Sequence, residues 1–319
     1  MAELRGVSVV IPTYNRADVL GEAIESAFAQ DVPELEVVVV DDGSTDATPQ
    51  LLDGLRERHG SALTVVRQAN AGESAARNEG IRRARHELVA LLDSDNRWRP
   101  HKLERQLAIH AEHPEIEFSF TGYETLGPPH GEPVLLDDWT NDSRQALEQL
   151  LAGCCVNTSS VVATKRVLTE VGLFDTSLVC CQDHDLWLRL AATGCRMGYV
   201  RDSLLEYRVH AGGTSSDQAL VATSTELVFQ RLFAGGALPD DVVSRRRFYM
   251  ARCYLNSSVR YLEARDGGGA LRALGRAFRT RPASARAGWL KLAVQALVLT
   301  ARRRGSDQLA TAGAASRAG

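Results

Sequence analysis

Residues 36–46 read EVVVVDDGSTD. Four successive valines with no polar alternation form the pattern of a strand buried on both faces. The run breaks into Asp41-Asp42-Gly43-Ser44, residues that favour turns. From Asp46 to about Arg58 the chain turns helical, with Leu51, Leu52 and Leu55 on one face. The same unit recurs on either side. Val7–Ile11 (VSVVI) is a second buried strand, followed by a helix over Ala17–Gln30 with Leu20, Ile24, Ala27 and Phe28 at helical spacing. Downstream come a strand at Leu63–Arg67, a helix at Glu73–Arg85 and a strand at Leu88–Leu92. Such alternation predicts an α/β fold, a mostly parallel sheet flanked by helices on both faces. Ligands of such sheets bind beyond the carboxyl ends of the strands. Pro12–Asn15, Asp41–Ser44 and Asp93–Asn96 all sit at such ends.

Beyond residue 120 the pattern loosens. Glu117–Thr121 and Ser159–Ala163 read as strands, Asp183–Thr193 as a short helix, and Gly198–Val200 and Leu204–Arg208 as two further strands. After about Ser216 the pattern is helical throughout. Asp266-Gly267-Gly268-Gly269 is the clearest break between helices. Ala270, Ala273, Leu274 and Ala277 then form a small-residue face of the kind found in tetratricopeptide-like hairpins, without a complete repeat. The expected organisation is a catalytic domain over residues 1–215, a basic helical region over 216–304 and a disordered, low-complexity tail over 305–319.

The chain has 319 residues, 44% of them hydrophobic and 24% charged, enough for one large or two modest globular domains. Leu290–Leu299 is interrupted by Lys291 and Gln295 and falls short of the roughly 20 apolar residues of a spanning helix. The opening MAELRGVSVVIP predicts no signal peptide. Six cysteines, four of them in two adjacent pairs (Cys154-Cys155 and Cys180-Cys181), form no C-x-x-C pattern and read as reduced cytosolic thiols. The net charge of −3 hides an asymmetry. Asp241–Arg304 carries 14 Arg and one Lys against three acids, so the front of the chain is acidic and the rear basic.

The motifs carry chemistry. Asp93-Ser94-Asp95 emerges from a buried strand, and carboxylates at i and i+2 of a loop reach the same side. Two hard oxygen ligands suit Mg²⁺ or Mn²⁺, whose remaining ligands are waters and substrate phosphates. Asp41 and Asp42 can accept a uracil imide N–H or ribose hydroxyls, while Asp46 or Ser44 caps the next helix. Pro12-Thr13-Tyr14-Asn15 offers Tyr14 for base stacking. Arg77 and Asn78 lie one turn into a helix, and Arg suits a diphosphate. Asp183 opens a helix, as a cap or as a general base. His210 is an acceptable ligand for Mn²⁺ or a structural histidine.

Taken in order, VSVVIPTYNR, VVVVDDGSTD, NAGESAARNEG, LLDSDN, QDHDLWLRLA and YRVH resemble a family 2 glycosyltransferase of the GT-A fold over about residues 5–215. The resemblance implies transfer of a sugar, with inversion, from a nucleotide-diphosphate donor, a UDP-sugar, to an acceptor hydroxyl. It implies a divalent cation (Mn²⁺ or Mg²⁺) held by Asp95, Asp93 and His210, and a general base at Asp183. The implied substrate-binding set is Pro12, Thr13, Tyr14, Asn15, Asp41, Asp42, Arg77, Asn78 and Ser94, with Asp42 recognising the base. Gln182 replaces the usual Glu before the base, and Asn96 stands where an Asp often follows the D-x-D. The absence of G-x-G-x-x-G after any strand disfavours a dinucleotide enzyme. The expected acceptor is a saccharide, above all a lipid-linked one in cell-surface polysaccharide synthesis; a peptide, a small metabolite, or a catalytically silent sugar-nucleotide-binding protein are the alternatives. Gly153–Ser160 and Leu178–Cys181 flank the base and are expected to touch the acceptor. The expected location is cytoplasmic. Trp289–Leu299 with Arg302-Arg303-Arg304 suggests peripheral contact with anionic lipid, or packing on the protein. No nucleic acid partner is expected.

Overall fold

The computed structural model describes residues 6–126, 131–136, 139, 142–209 and 216–282. The chain forms two compact units, residues 1–178 with 182–209, and residues 179–181 with 210–319.

In the first unit, β1 (Gly6–Thr13), α1 (Leu20–Phe28), β2 (Glu34–Asp41), α2 (Thr48–His59), β3 (Leu63–Arg67), α3 (Glu73–Arg83) and β4 (Leu88–Leu91) alternate as expected. Then follow β5 (Arg97–Trp98), α4 (Lys102–Glu112), β6 (Ile116–Leu126), α5 (Ser143–Ala152), β7 (Val162–Thr164), α6 (Lys165–Glu170), α7 (Gln182–Ala192) and β8 (Arg196–Arg208). The eight strands form one sheet in the order β3-β2-β1-β4-β7-β6-β8-β5. β3, β2, β1 and β4 are parallel, β7 is antiparallel to β4 and β6, β6 and β8 are parallel, and β5 runs against β8. The chain winds from β1 to β2 and β3, then returns to β1's other side as β4. The gap between β1 and β4 is therefore the place where a ligand crevice opens. Register places Thr13 beside Asp41 and Val10 beside Leu91, so the polar ends of β1, β2 and β4 share one edge.

The valine runs are explained by both faces being covered. Val7, Val9, Ile11, Val37 and Val39 pack with Leu20, Ile24, Leu52 and Leu55 of α1 and α2, whereas Val38 and Val40 pack with Ala76 of α3. Each fully buried valine contributes about 1.5–3 kcal/mol over an exposed one. α3 sits close to the sheet because Gly80 has no side chain: a Cβ there would lie 2.3 Å from Val10 Cγ1. Gly80→Ala is therefore expected to cost about 1–3 kcal/mol of stability through overpacking, despite the roughly 1 kcal/mol that alanine gains in a helix. Val10→Ala in the same chain should recover part of that loss. Urea denaturation of the two single variants and the double variant checks this, and purely additive losses would refute the contact.

Some boundaries differ from expectation. The two short strands predicted over 198–208 are one strand, β8, because irregularities in its pairing with β6 carry it through the polar Arg201-Asp202-Ser203. The strand predicted at 159–163 begins with a single 3-10 turn, Thr158–Ser160, which Asn157 initiates by accepting from the Ser159 N–H at 2.9 Å. β7 follows it.

In the second unit, α8 (Gln218–Ala234), α9 (Asp240–Ser244), α10 (Arg246–Glu263) and α11 (Gly267–Thr280) follow one another, and α10 packs on both α8 and α11. Ala270, Ala273, Leu274 and Ala277 are buried, the small-residue face read from sequence. The glycines do not break the helix as expected. The break is at 264–266, where Arg265 is left-handed (φ 57°), and Gly267–Gly269 form the first turn of α11 beneath the Asp266 cap. First-turn residues have no intrahelical N–H bonds to lose. A Cβ at Gly269 would also lie 2.3 Å from Asp266 Oδ2. Among the described residues no helix is long and apolar enough to cross a membrane. Trp289–Leu299, Arg302–Arg304 and the tail lie outside the described residues.

Candidate active site

Carboxylates from α3, from the loop after β4 and from α7 surround one buried guanidinium. Arg77, in the second turn of α3, is 5% exposed. Its Nη2 donates to Glu73 Oε1 at 2.5 Å and to Asp93 Oδ1 at 2.7 Å, and its guanidinium lies 5.3 Å from the Phe174 ring centroid. Burial alone would lower the Arg77 pKa, but Glu73, Asp93 and Asp183 outweigh burial and raise it. Glu73 reports the same cluster from the other side. Arg77 pulls its carboxyl down, yet burial together with Asp93, Asp95 and Asp183 pushes it above the usual range. About half of the Glu73 side chain remains open to solvent, which damps that shift.

Asp93, Ser94 and Asp95 follow β4 after a single residue, Leu92. The Asp93 N–H donates to Ser159 Oγ at 3.0 Å, and the Asp95 carbonyl accepts from Arg208 Nε at 3.0 Å. Ser94 is buried. Asn96 braces this loop. It is 1% exposed, its Nδ2 donates to Ser159 Oγ at 2.8 Å, and its Oδ1 accepts from the Arg208 N–H at 2.9 Å. Asn96 thus fastens the loop to the 158–160 turn and to the end of β8.

Asp183 lies in the first turn of α7, where the helix dipole favours a carboxylate. Its Oδ1 accepts from the His184 N–H at 2.7 Å, and its Oδ2 accepts from Thr158 Oγ1 at 3.4 Å. Gln182 Nε2 donates back to the Leu178 carbonyl.

At the other end of the crevice, Asp42 is 3% exposed. Its Oδ1 accepts from Gln68 Nε2 (2.7 Å) and the Ala71 N–H (2.9 Å), and its Oδ2 from the Gly72 N–H (2.8 Å). Asp41 accepts from the Ser44 N–H and closes its own turn. Asp46, which accepts from the Thr48 N–H, is the residue that serves the start of α2. Asn15, left-handed at φ 51°, accepts from the Thr45 and Asp46 N–H groups and so ties the β1 loop to the β2 loop. Pro12 lies beside Val40 one residue before the end of β1, Tyr14 is 46% exposed, and Thr13 Oγ1 is buried without a hydrogen-bond partner.

Asn78 is 4% exposed and spends both ends of its amide on Phe174, donating to its carbonyl (2.8 Å) and accepting from its N–H (2.9 Å). This seats the Phe174 ring beneath Arg77. Asp185 joins from α7: its Oδ2 accepts from Arg189 Nη2 at 2.7 Å, and Arg189 donates to the Val171 and Leu173 carbonyls, fixing the turn in which Leu173 is left-handed (φ 62°). Phe174 and Arg208 are the parts that pattern reading gave no role, while Thr158 and Ser159 were expected only as acceptor contacts and Asn96 only as a departure from the family pattern. The polar triplet Thr158-Ser159-Ser160 next to a strand is the one local signal for the bracing turn.

Asp93 and Asp95 are hard oxygen donors that fit Mg²⁺ or Mn²⁺ sharing a ligand's phosphates. Asp93 Oδ1 is already neutralised by Arg77, which leaves Oδ2 as that residue's better donor. Among the described residues no three potential ligands cluster, and His210 lies outside them.

The profile of glycosyl transferase family 2 matches residues 8–161. The chain is 31% identical over 231 residues to TuaG of Bacillus subtilis (strain 168), named for teichuronic acid biosynthesis as a glycosyltransferase, covering 71% of this chain and 88% of the relative. Among solved structures, S. aureus TarS 1-349 in complex with UDP-GlcNAc superposes with a TM-score of 0.64 at 18% identity, covering 86% of this chain and 81% of that one. The mannosyltransferase PcManGT from Pyrobaculum calidifontis, in complex with GDP-Man and Mn²⁺, gives 0.59 at 20% identity, over 92% and 85%. At these identities the likeness shows the fold, that of GT-A. With carboxylates gathered at that edge and a relative matched over nearly its whole length, the chain belongs to glycosyl transferase family 2.

Proposed function

We propose that this glycosyltransferase moves a sugar, with inversion, from a UDP-sugar to a hydroxyl of a lipid-linked saccharide in cell-surface polysaccharide synthesis, at the cytoplasmic side of a membrane. One observation carries the reading: the 158–160 turn bonds both the Asp93 N–H and the Asp183 carboxylate, so the D-x-D loop and the candidate base stand on either side of one turn. The UDP-GlcNAc bound in the TarS structure and the teichuronic acid name of the Bacillus relative support the donor class and the acceptor class. The arginines of α10 and α11 supply positive charge suited to anionic headgroups.

The roles follow from chemistry. Tyr14 stacks on the base beside Pro12 and Thr13, and Asp42, with Asp41 and Asn15 shaping its loop, bounds the nucleoside end. Ser94 faces the donor within the D-x-D. Asp93 and Asp95 would hold a divalent cation, with His210, outside the described residues, as the third ligand the family resemblance offers, and the cation would offset charge on the departing diphosphate. Arg77 adds fixed positive charge and holds Asp93, and Asn78 supports Arg77 by seating Phe174. Asp183 takes the proton from the acceptor hydroxyl as its oxygen attacks the anomeric carbon and the bond to the diphosphate breaks on the opposite face. One displacement inverts the centre.

Calorimetry of UDP- and GDP-sugars with Mn²⁺ tests the reading. UDP-sugar binding that needs the cation, followed by cation-dependent transfer to or hydrolysis by acceptor or water, is the expected result. Binding without any turnover would favour a silent binding protein, and cation-independent binding would remove the metal assignment.

A further inference from the structure

Lys102, Gln106 and His110 recur every fourth residue on one face of α4, and all three are buried, at 0%, 0% and 1% exposure. A fully buried polar stripe on a helix is costly unless every group is satisfied. Here each is. Lys102 Nζ lies 4.2 Å from the Trp98 ring centroid and donates to Gln106 Oε1 at 2.6 Å. Gln106 Nε2 donates to the Ser160 carbonyl (3.1 Å) and to Ser119 Oγ (3.0 Å). His110 Nε2 lies 3.0 Å from Ser119 Oγ, and its Nδ1 lies 2.9 Å from the Ile116 carbonyl.

The ends of this chain fix the direction of every bond in it. A carbonyl only accepts, so the neutral His110 ring carries its proton on Nδ1, and its Nε2 accepts a hydrogen bond from the Ser119 hydroxyl. An amine in this position donates, so Gln106 must turn Oε1 toward Lys102 and Nε2 toward Ser160. Burial drives the Lys102 pKa well below its ordinary value, and a neutral amine still donates this bond.

What the stripe grips is the turn at Thr158–Ser160. Gln106 holds the Ser160 carbonyl, and Trp98 Nε1 holds the Ser159 carbonyl at 2.7 Å. The same turn sends Ser159 Oγ to the Asp93 N–H and Asn96 Nδ2, and Thr158 Oγ1 to Asp183. We propose that Lys102, by fixing the orientation of the Gln106 amide beside Trp98, acts as a positioning residue that sets the 158–160 turn and hence the placement of the Asp93–Asn96 loop relative to Asp183. Reactions that depend on two groups held across a substrate lose rate steeply when either moves. This inference rests on the transferase reading for its kinetic consequence and on the hydrogen bonds alone for its structural one.

Lys102→Met keeps the length and apolar stem of the side chain but releases the amide. Trp98→Phe keeps a ring but removes the bond to Ser159. Each is expected to lower kcat by roughly 10- to 100-fold, with donor Kd by calorimetry in Mn²⁺ changed less than about threefold. Leu55→Ala, a cavity variant in α2 remote from the turn, serves as the stability control and should keep kcat within about twofold at a comparable fall in Tm. Amide hydrogen exchange is the second readout, and the Asp93 N–H should lose protection in Lys102→Met and keep it in Leu55→Ala. A kcat within twofold of wild type in a folded Lys102→Met, or losses no larger than those of the control at equal Tm, would overturn the proposal. So would unchanged protection at Asp93. A wild-type chain that turns over no nucleotide sugar defeats the transferase reading alone, and hydrogen exchange then decides the placement.

Discussion

Asp183→Asn is expected to lower kcat for transfer by roughly 10³-fold, about 4 kcal/mol of transition-state stabilisation, while donor affinity stays within about twofold. The argument is one of minimal change. Asn keeps an Oδ1 that accepts from the His184 N–H, and its Nδ2 can donate to Thr158 Oγ1, which then accepts, so the start of α7 keeps two bonds with one reversed. What is lost is the ability to take a proton. Steady-state transfer with saturating donor, beside calorimetry of donor binding, separates the two effects. Turnover within tenfold of wild type would remove Asp183 as the base. Glu73 is then the group to test, since its carboxyl has its proton affinity raised within the same cluster.

Arg77→Leu should have the largest effect on stability. Arg77 is the buried cation on which Glu73 and Asp93 converge, and removing it leaves a carboxylate cluster without its counter-charge. Removing one partner of a buried pair costs about 3–5 kcal/mol. Because the Glu73 and Asp93 side chains are 52% and 21% exposed, water recovers part of that and the lower end is expected. Lysine should rescue poorly, since a single ammonium cannot stack on Phe174 and bond two carboxylates as the planar guanidinium does. Urea denaturation reads the loss. A change under about 1 kcal/mol would mean the cluster is solvated rather than held by Arg77.

Much of the architecture was legible in the chain because it depends on local period. Valine runs at β1 and β2 announce strands covered on both faces, and Leu51, Leu52 and Leu55 announce the helix that follows β2. The polar breaks after each strand locate the ligand edge, since a parallel sheet has its openings there. The break between α10 and α11 was misplaced for an equally local reason. Glycine normally interrupts helices, but at a first turn under an Asp266 cap it costs little. The two strands foreseen in 198–208 merged because hydrogen bonding to β6, which no local pattern reports, carried the backbone past Arg201-Asp202-Ser203.

By itself the sequence determined the α/β class, the edge at which chemistry gathers, and the residue types placed there: Asp42, the Asp93-Ser94-Asp95 loop and Asp183. Tertiary structure alone decided how those groups are held. Arg77 sits on a polar helix that reads equally well as a solvated face, and it is buried only because Asn78 fastens Phe174, 96 residues away, beneath it. Asn96 became a brace through bonds spanning 63 and 112 residues, and the Thr158–Ser160 turn joined the D-x-D loop to Asp183 through bonds spanning 66 and 25. Period and turn preference are properties of adjacent residues and leave a trace in the chain. The partner of a buried charge or amide is set by which distant segments the packed sheet brings together, and nothing in the local pattern records that choice.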